Sequence, residues 1–91
     1  MLSKNTVKFI KSLHQKKFRN QEQRFFVEGE KSVLEVLNSN FKVEVLICTD
    51  EFLSKYDKQL NHSEIQIITA TQHQLESLGQ YQSNDSALAV V

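Results

Sequence analysis

The chain has no proline, no tryptophan, two glycines and one cysteine in its 91 residues. With no proline, no repeat and no low-complexity stretch, nothing marks an internal linker, and the length fits one domain. A chain of this size buries roughly 60–65% of its unfolded surface, enough for one core but leaving little room for a deep cleft. The single cysteine, Cys48, cannot close an internal disulfide, so a reducing cytoplasm is its natural setting. Its apolar neighbours read as inert core packing. No run approaches the ~20 apolar residues of a membrane span. The first residues, Met1 to Asn5, lack the apolar core and cleavage site of a signal peptide. His14, His62, His73 and Cys48 show no metal-ligand spacing. No His–Cys or Ser–His pairing suggests a nucleophile, and the carboxylates are scattered.

The formal net charge is zero, yet the charges are sorted by sign. Residues 1–24 hold seven cations against Glu22 alone, leaving +6. Residues 25–91 hold four lysines against ten carboxylates, leaving −6. Such segregation points to a polyanionic partner at one end, or to a solvated basic helix balanced by acidic neighbours.

Periodicity supplies the elements. Leu2, Val7, Phe9, Ile10 and Leu13 fall near helical spacing, predicting a helix over about 4–14 that Ser3 or Asn5 caps. The polar run 15–24 reads as a loop or a frayed helical turn. Phe25 to Glu28 reads as a strand covered on both faces. Gly29 then turns the chain into a helix over about 30–38 carrying Val33, Leu34, Val36 and Leu37. Residues 43–48 form a β-branched strand. Thr49 and Asp50 open a short helix with Phe52, Leu53 and Tyr56, and residues 65–68 form a third strand. Thr71 and Gln74 match a capping box. The helix they open carries Leu75 and Leu78 and stops at Gly79, a common left-handed position. Residues 87–91 are a last strand. The alternation predicts a three-layer α/β/α sandwich with a four-stranded mixed sheet. Because the chain stops inside an apolar strand, a fragment of a longer protein is expected.

The stretch Lys16-Lys17-Phe18-Arg19-Asn20-Gln21-Glu22-Gln23-Arg24, followed by Phe25 to Gly29, carries most of the functional signal. Cations, a turn and a helix N-terminus together suit phosphate groups. Arg19 and Arg24 head the candidates, because guanidinium forks make bidentate phosphate contacts. The competing role is an ion pair with Glu22 or Glu28. Lys16 and Lys17 add point charge, and Lys31 could assist from the first turn of its helix. Lys4, Lys8 and Lys11 read as a solvated helix face, with contact to RNA as the alternative. Glu28 could orient Arg19, accept from a ribose 2′-hydroxyl or cap the next helix. The amides of Gly29 and Glu30 could receive a phosphate oxygen. Phe18 could stack on an unpaired base or pack in an interface. Phe25 and Phe26 read as core, Tyr56 and Tyr81 as partly buried, and His14 as an added charge at low pH.

The basic pair, an Arg six residues before a Phe, the apolar pair, Glu-Gly and an amphipathic helix together resemble a known domain. It is the N-terminal substrate-binding domain of the SpoU/TrmH-type RNA 2′-O-ribose methyltransferases of the SPOUT superfamily. Lys16, Lys17, Arg19, Phe25, Glu28, Gly29, Val33 and Leu37 carry the likeness, with support from the Leu75–Leu78 helix and the terminal Ala87-Leu88-Ala89-Val90-Val91. The resemblance implies a fold like the ribosomal and kink-turn-binding proteins, with residues 1–91 as one RNA substrate-binding domain. It also implies a knotted catalytic domain after residue 91 that binds S-adenosylmethionine and forms a homodimer. This chain alone would then carry no cofactor and bind RNA without methylating it. Two places depart from the family's pattern. Gln23-Arg24 stands where it often has glycine, and residues 82–86 lack its Thr-Pro-Gln-Gly-like turn.

The sequence thus points to a cytoplasmic, non-membrane domain that recruits structured rRNA or tRNA to a 2′-O-methyltransferase. A protein-interaction module docking an acidic partner through the basic N-terminal helix is the alternative. A small independent enzyme with a concave pocket is the third.

Overall fold

The computed structural model describes residues 2–60, 64–80, 84 and 86–91. His62, Tyr81 and most of the 82–86 turn lie outside the described residues.

Helix starts follow their side-chain caps. The hydroxyl of Ser3 accepts from the Thr6 amide at 3.1 Å and opens α1, Lys4–Ser12. Helix α2, Lys16–Glu22, occupies the run read as a loop or a frayed helical turn, and is helical over seven residues. No side chain caps it; the helix is held instead by its tertiary contacts, described below. Strand β1, Phe26–Glu28, leads through Gly29 into α3, Glu30–Leu37. Strand β2, Val45–Cys48, precedes α4, Asp50–Lys55, which Thr49 caps by accepting from the Phe52 amide at 3.2 Å. A further short helix, α5, Asp57–Leu60, leads toward β3, Gln66–Thr69. The capping box is formed as read. Thr71 Oγ1 accepts from the Gln74 amide at 3.1 Å and Gln74 Oε1 from the Thr71 amide at 2.9 Å, opening α6, Gln72–Leu78. Strand β4, Ala87–Val90, completes the elements.

The sheet order is β1-β4-β2-β3. Strand β4 runs antiparallel to both neighbours, pairing Val27 with Ala89 on one side and Leu46 with Ala89 on the other. Strands β2 and β3 run parallel, with Leu46 opposite Ile67. Because side chains alternate across a sheet, the register sorts the apolar residues into two layers. Ile47, Ile68, Leu88 and Val90 meet Ile10 and Leu13 of the α1 end and Leu75 and Leu78 of α6. Leu46, Cys48, Ala87 and Ala89 meet Val33 of α3, Phe52 of α4 and Leu60 of α5. This is the expected three-layer sandwich, and it explains why β4 is buried along its whole length. Each fully buried Leu or Ile contributes about 1.5–3 kcal/mol.

Two turns depart from expectation. Gly79 is extended, with φ −93° and ψ −170°, so it does not supply the left-handed stop. Its glycine is required by space, since an added Cβ would lie 1.9 Å from Glu28 Oε2. The left-handed residue is Gln23, at φ 57° and ψ 41°, ending α2. A glutamine therefore occupies a conformation that glycine adopts without steric cost. Its side chain compensates by donating from Nε2 to the Asn20 carbonyl at 2.7 Å.

Candidate functional site

The N-terminal cations separate into two groups according to what they touch. Arg19, on α2, is half-buried, and its Nη1 donates to the carbonyls of Leu13 at 2.9 Å and His14 at 3.0 Å. Those carbonyls lie at the C-terminal end of α1, where they lack intrahelical donors and where a cation is favoured. Arg24 acts likewise on α2, with Nη1 donating to the carbonyls of Glu22 at 3.3 Å and Gln23 at 3.1 Å. Its Nε also donates to the Glu44 carboxylate, forming an ion pair. Both guanidinium groups thus hold helix ends, and Arg24 pairs with Glu44 rather than with Glu22 or Glu28.

The lysines behave differently. Lys4, Lys8 and Lys11 on α1, Lys16 and Lys17 on α2, and Lys31 in the first turn of α3 are all exposed. Among the described residues none of them enters an ion pair; the two pairs present are Arg24–Glu44 and Lys55–Glu30. Lys17 Nζ sits 5.7 Å from the ring centroid of the half-buried Phe18, a cation–π contact at the surface. Contacts of this exposed kind are worth about 0.5–1 kcal/mol.

Glu28 is buried, 6% exposed, and points to the same side of the sheet as Phe26. Its Oε1 accepts from the Gln80 amide at 2.7 Å, so the carboxylate fixes the chain leaving α6 instead of capping α3. Gly29 does need its positive φ of 91°, and a Cβ there would meet open space. Its amide donates to the Ala87 carbonyl at 3.0 Å, which corrects the expectation that this amide is available to a phosphate oxygen. His14 faces inward as well. Its Nε2–H donates to the Leu78 carbonyl at 2.7 Å, and its ring lies 5.2 Å from that of Phe26. A carbonyl only accepts, so the proton sits on Nε2.

These placements frame a groove of about 380 Å³ along the open edge of β1, lined by Leu13, Arg19, Phe25, Phe26, Val27, Glu28, Ser32 and Gln80. Of the sequence-predicted site residues it brings Arg19 and Glu28 together. It leaves Lys16, Lys17, Phe18 and Lys31 outside, and Arg24 beside Glu44. Phe26 is half-buried against the α1/α6 core, whereas Phe25 packs edge-on against Phe41 at 5.6 Å. Phe41 is 59% exposed and went unsingled in the sequence, where it sits in a polar turn with no periodic partner. Asn84 was missed too. It is buried, donates from Nδ2 to the Ala87 carbonyl at 2.9 Å and accepts at Oδ1 from the amides of Ser86 and Ala87, so it launches β4. Burial pushes the Cys48 thiol up to about 11, with the nearby Asp50 charge adding to the shift. A thiol held neutral in this way is a poor nucleophile. Among the described residues no group of three or more His, Cys, Asp or Glu is placed to hold a metal ion. No helix among them is long and apolar enough to cross a membrane.

Residues 4–89 match the family described as the MRM3-like substrate binding domain. A comparison with curated proteins finds no match. Among solved structures the chain is similar to a protein from Porphyromonas gingivalis assigned to the RNA methyltransferases of the TrmH family. The two share 26% identity with a TM-score of 0.77, over 99% of this chain and 35% of that one. The AdoMet-bound rRNA methyltransferase of Sinorhizobium meliloti shares the fold at 19% identity and TM-score 0.76, over 99% of this chain and 34% of its own. So does the SpoU methyltransferase AviRb of Streptomyces viridochromogenes, in complex with AdoMet, at 19% and 0.76, over 99% of this chain and 35% of its own. The chain thus spans about a third of the length of the structures it matches.

Proposed function

We propose, from the premise that this chain belongs to the MRM3-like substrate binding domains, that it captures structured RNA for 2′-O-ribose methylation. Its part is binding. The methyl donor, S-adenosylmethionine, would be held by a catalytic domain joined to it, through which the full-length protein dimerises in the cytoplasm. The RNA is ribosomal or transfer RNA, recognised by shape and backbone, because double-helical RNA hides its base edges in a deep, narrow groove.

The observation that carries the reading is the exposure of Lys16 and Lys17 on α2, without an ion pair among the described residues. Phe18 lies under Lys17 on the same helix, and Lys31 adds an exposed charge in the first turn of α3. Arg19 holds α2 against the end of α1 and offers its remaining N–H groups to the groove beside β1. Arg24 and Glu28 act as supports: one closes α2, the other fixes Gln80 at the groove's wall.

The test is a salt titration of binding to a structured rRNA fragment. Each phosphate neutralised contributes about 0.7–0.9 to the slope of log K against log salt. Lys16→Ala/Lys17→Ala should therefore bind more weakly, with a slope flatter by about 1.4–1.8. Equal affinity and slope in the two proteins, or wild-type binding indifferent to salt, would remove the proposal. Arg19→Ala is the wrong probe for it, since losing that side chain frees two helix-end carbonyls as well.

A further inference from the structure

We infer that the outer face of α1 is a second phosphate-contacting surface, on which Lys4, Lys8 and Lys11 follow the backbone of a duplex RNA segment. The inference rests on the RNA-binding reading above and extends it to residues whose plain sequence reading is a solvated helix face.

Spacings of four and three place the three lysines on one stripe of α1. The stripe lies opposite Ile10 and Leu13, which are fully buried. All three lysines are exposed and none enters an ion pair among the described residues. The first turn of α1 holds no acidic residue, although a helix N-terminus favours one. Like charges three and four residues apart destabilise a helix. Lys11, in the last turn, suits the helix C-terminus, but Lys4 and Lys8 carry charge that is uncompensated among the described residues and that the stability of α1 does not explain. A polyanion lying along the helix would compensate it.

The dimensions and chemistry fit a nucleic-acid backbone. Seven residues of helix span about 10 Å at 1.5 Å per residue. Phosphates recur every few ångströms of axis along a duplex strand, about 3.4 Å in B-DNA and somewhat closer in the A form that RNA adopts, so such a row can meet about three. Lysine is a flexible point charge that grips phosphate without reading bases. An anionic membrane fits less well. A helix lying on a bilayer needs a broad free apolar face, whereas Ile10 and Leu13 of α1 are buried in the core. That leaves only the partly buried Leu2 and Val7 beside the lysines, a patch that the vesicle arm of the test below addresses. The row also runs in sequence toward Lys16 and Lys17, so one footprint can continue from α1 to α2.

The experiment compares wild type, Lys4→Ala/Lys8→Ala/Lys11→Ala, Lys8→Glu and Lys16→Ala/Lys17→Ala, each against a short RNA duplex over a range of salt. The triple alanine variant should flatten the slope by about 2 to 3, and should bind at least about tenfold more weakly at low salt. Lys8→Glu should bind more weakly while its thermal midpoint stays level or rises, because the introduced carboxylate sits between Lys4 and Lys11. Lower affinity at undiminished stability is an outcome that a merely structural role does not produce. If the triple variant keeps wild-type affinity and slope while Lys16→Ala/Lys17→Ala weakens binding, this inference falls and the RNA reading stands. If wild type binds no RNA at low salt, both fall. If the α1 lysines instead govern binding to anionic phospholipid vesicles and leave the RNA slope unchanged, the membrane reading replaces this one.

Discussion

Gly79→Ala tests whether the buried carboxylate of Glu28 organises the wall of the groove. At φ −93° and ψ −170° the backbone accepts alanine without strain, so the effect must come from contact. The new Cβ would lie 1.9 Å from Glu28 Oε2 and 2.5 Å from its Cδ. A solvated glutamate would swing aside at little cost. Glu28 is 6% exposed and accepts from the Gln80 amide at 2.7 Å, so moving it gives up a charge-assisted hydrogen bond. Such bonds contribute about 1.5–3 kcal/mol. Replacing glycine also lowers the entropy of the unfolded chain, which stabilises by about 0.4–1 kcal/mol. The difference is a loss of about 1–2 kcal/mol. For a domain of this size that lowers the thermal midpoint by about 5–15 °C, at roughly 4–8 °C per kcal/mol.

The decisive arm is the same substitution in a Glu28→Ala background. With the carboxylate gone the three atoms nearest the new Cβ are removed, and the unfolded-state effect dominates. Gly79→Ala should then change sign and stabilise by about 0.4–1 kcal/mol. Urea denaturation of the four proteins closes the cycle. Equal losses in both backgrounds, or no loss in the first, would refute the claim that Glu28 dictates glycine at position 79.

Gln23→Gly should raise stability by about 0.5 kcal/mol at most, since it relieves a left-handed cost of roughly 1–2 kcal/mol but gives back about 0.5–1 kcal/mol in chain entropy and about 0.5 kcal/mol in the exposed hydrogen bond to Asn20. A midpoint at or below wild type would count against it. The Cys48 thiol, raised from 9.0 to about 11, stabilises the folded state below pH 9, where both states keep the proton. That contribution is lost as pH rises from 9 to about 11, because the unfolded thiol ionises first, and it amounts to on the order of 2–3 kcal/mol. Stability–pH curves for wild type and Cys48→Ala should diverge over that window; parallel curves would sink the reasoning.

Local chemistry made much of the fold readable. Ser3, Thr49 and Thr71 cap the helices that their hydroxyls announce, and consecutive apolar residues in β2 and β4 reflect a sheet covered on both faces. Helix α2 was legible only as a loop or a frayed helical turn because the groups that anchor it lie outside its own residues. Gln15 offers no cap, and its anchor is Arg19 reaching back to the carbonyls of Leu13 and His14. Gly79 was misread for a similar reason: a glycine after an apolar helix suggests a left-handed stop, while its cause lies 51 positions earlier in Glu28. Asn84 looks like any loop asparagine until β4 is placed beside it.

The sequence ranks arginine above lysine as a phosphate contact because its planar fork is suited to bidentate bonding. Helix-end carbonyls are acceptors of the same kind, and in this fold both forks find them first: Arg19 at the end of α1, Arg24 at the end of α2. The surrounding lysines have no such partners among the described residues and are exposed, so their charge faces outward. The excess of +6 in residues 1–24 thereby divides into a part that builds the surface and a part that the surface presents. On the proposed reading, substituting the arginines should lower stability before it lowers salt dependence. Substituting the lysines should do the reverse.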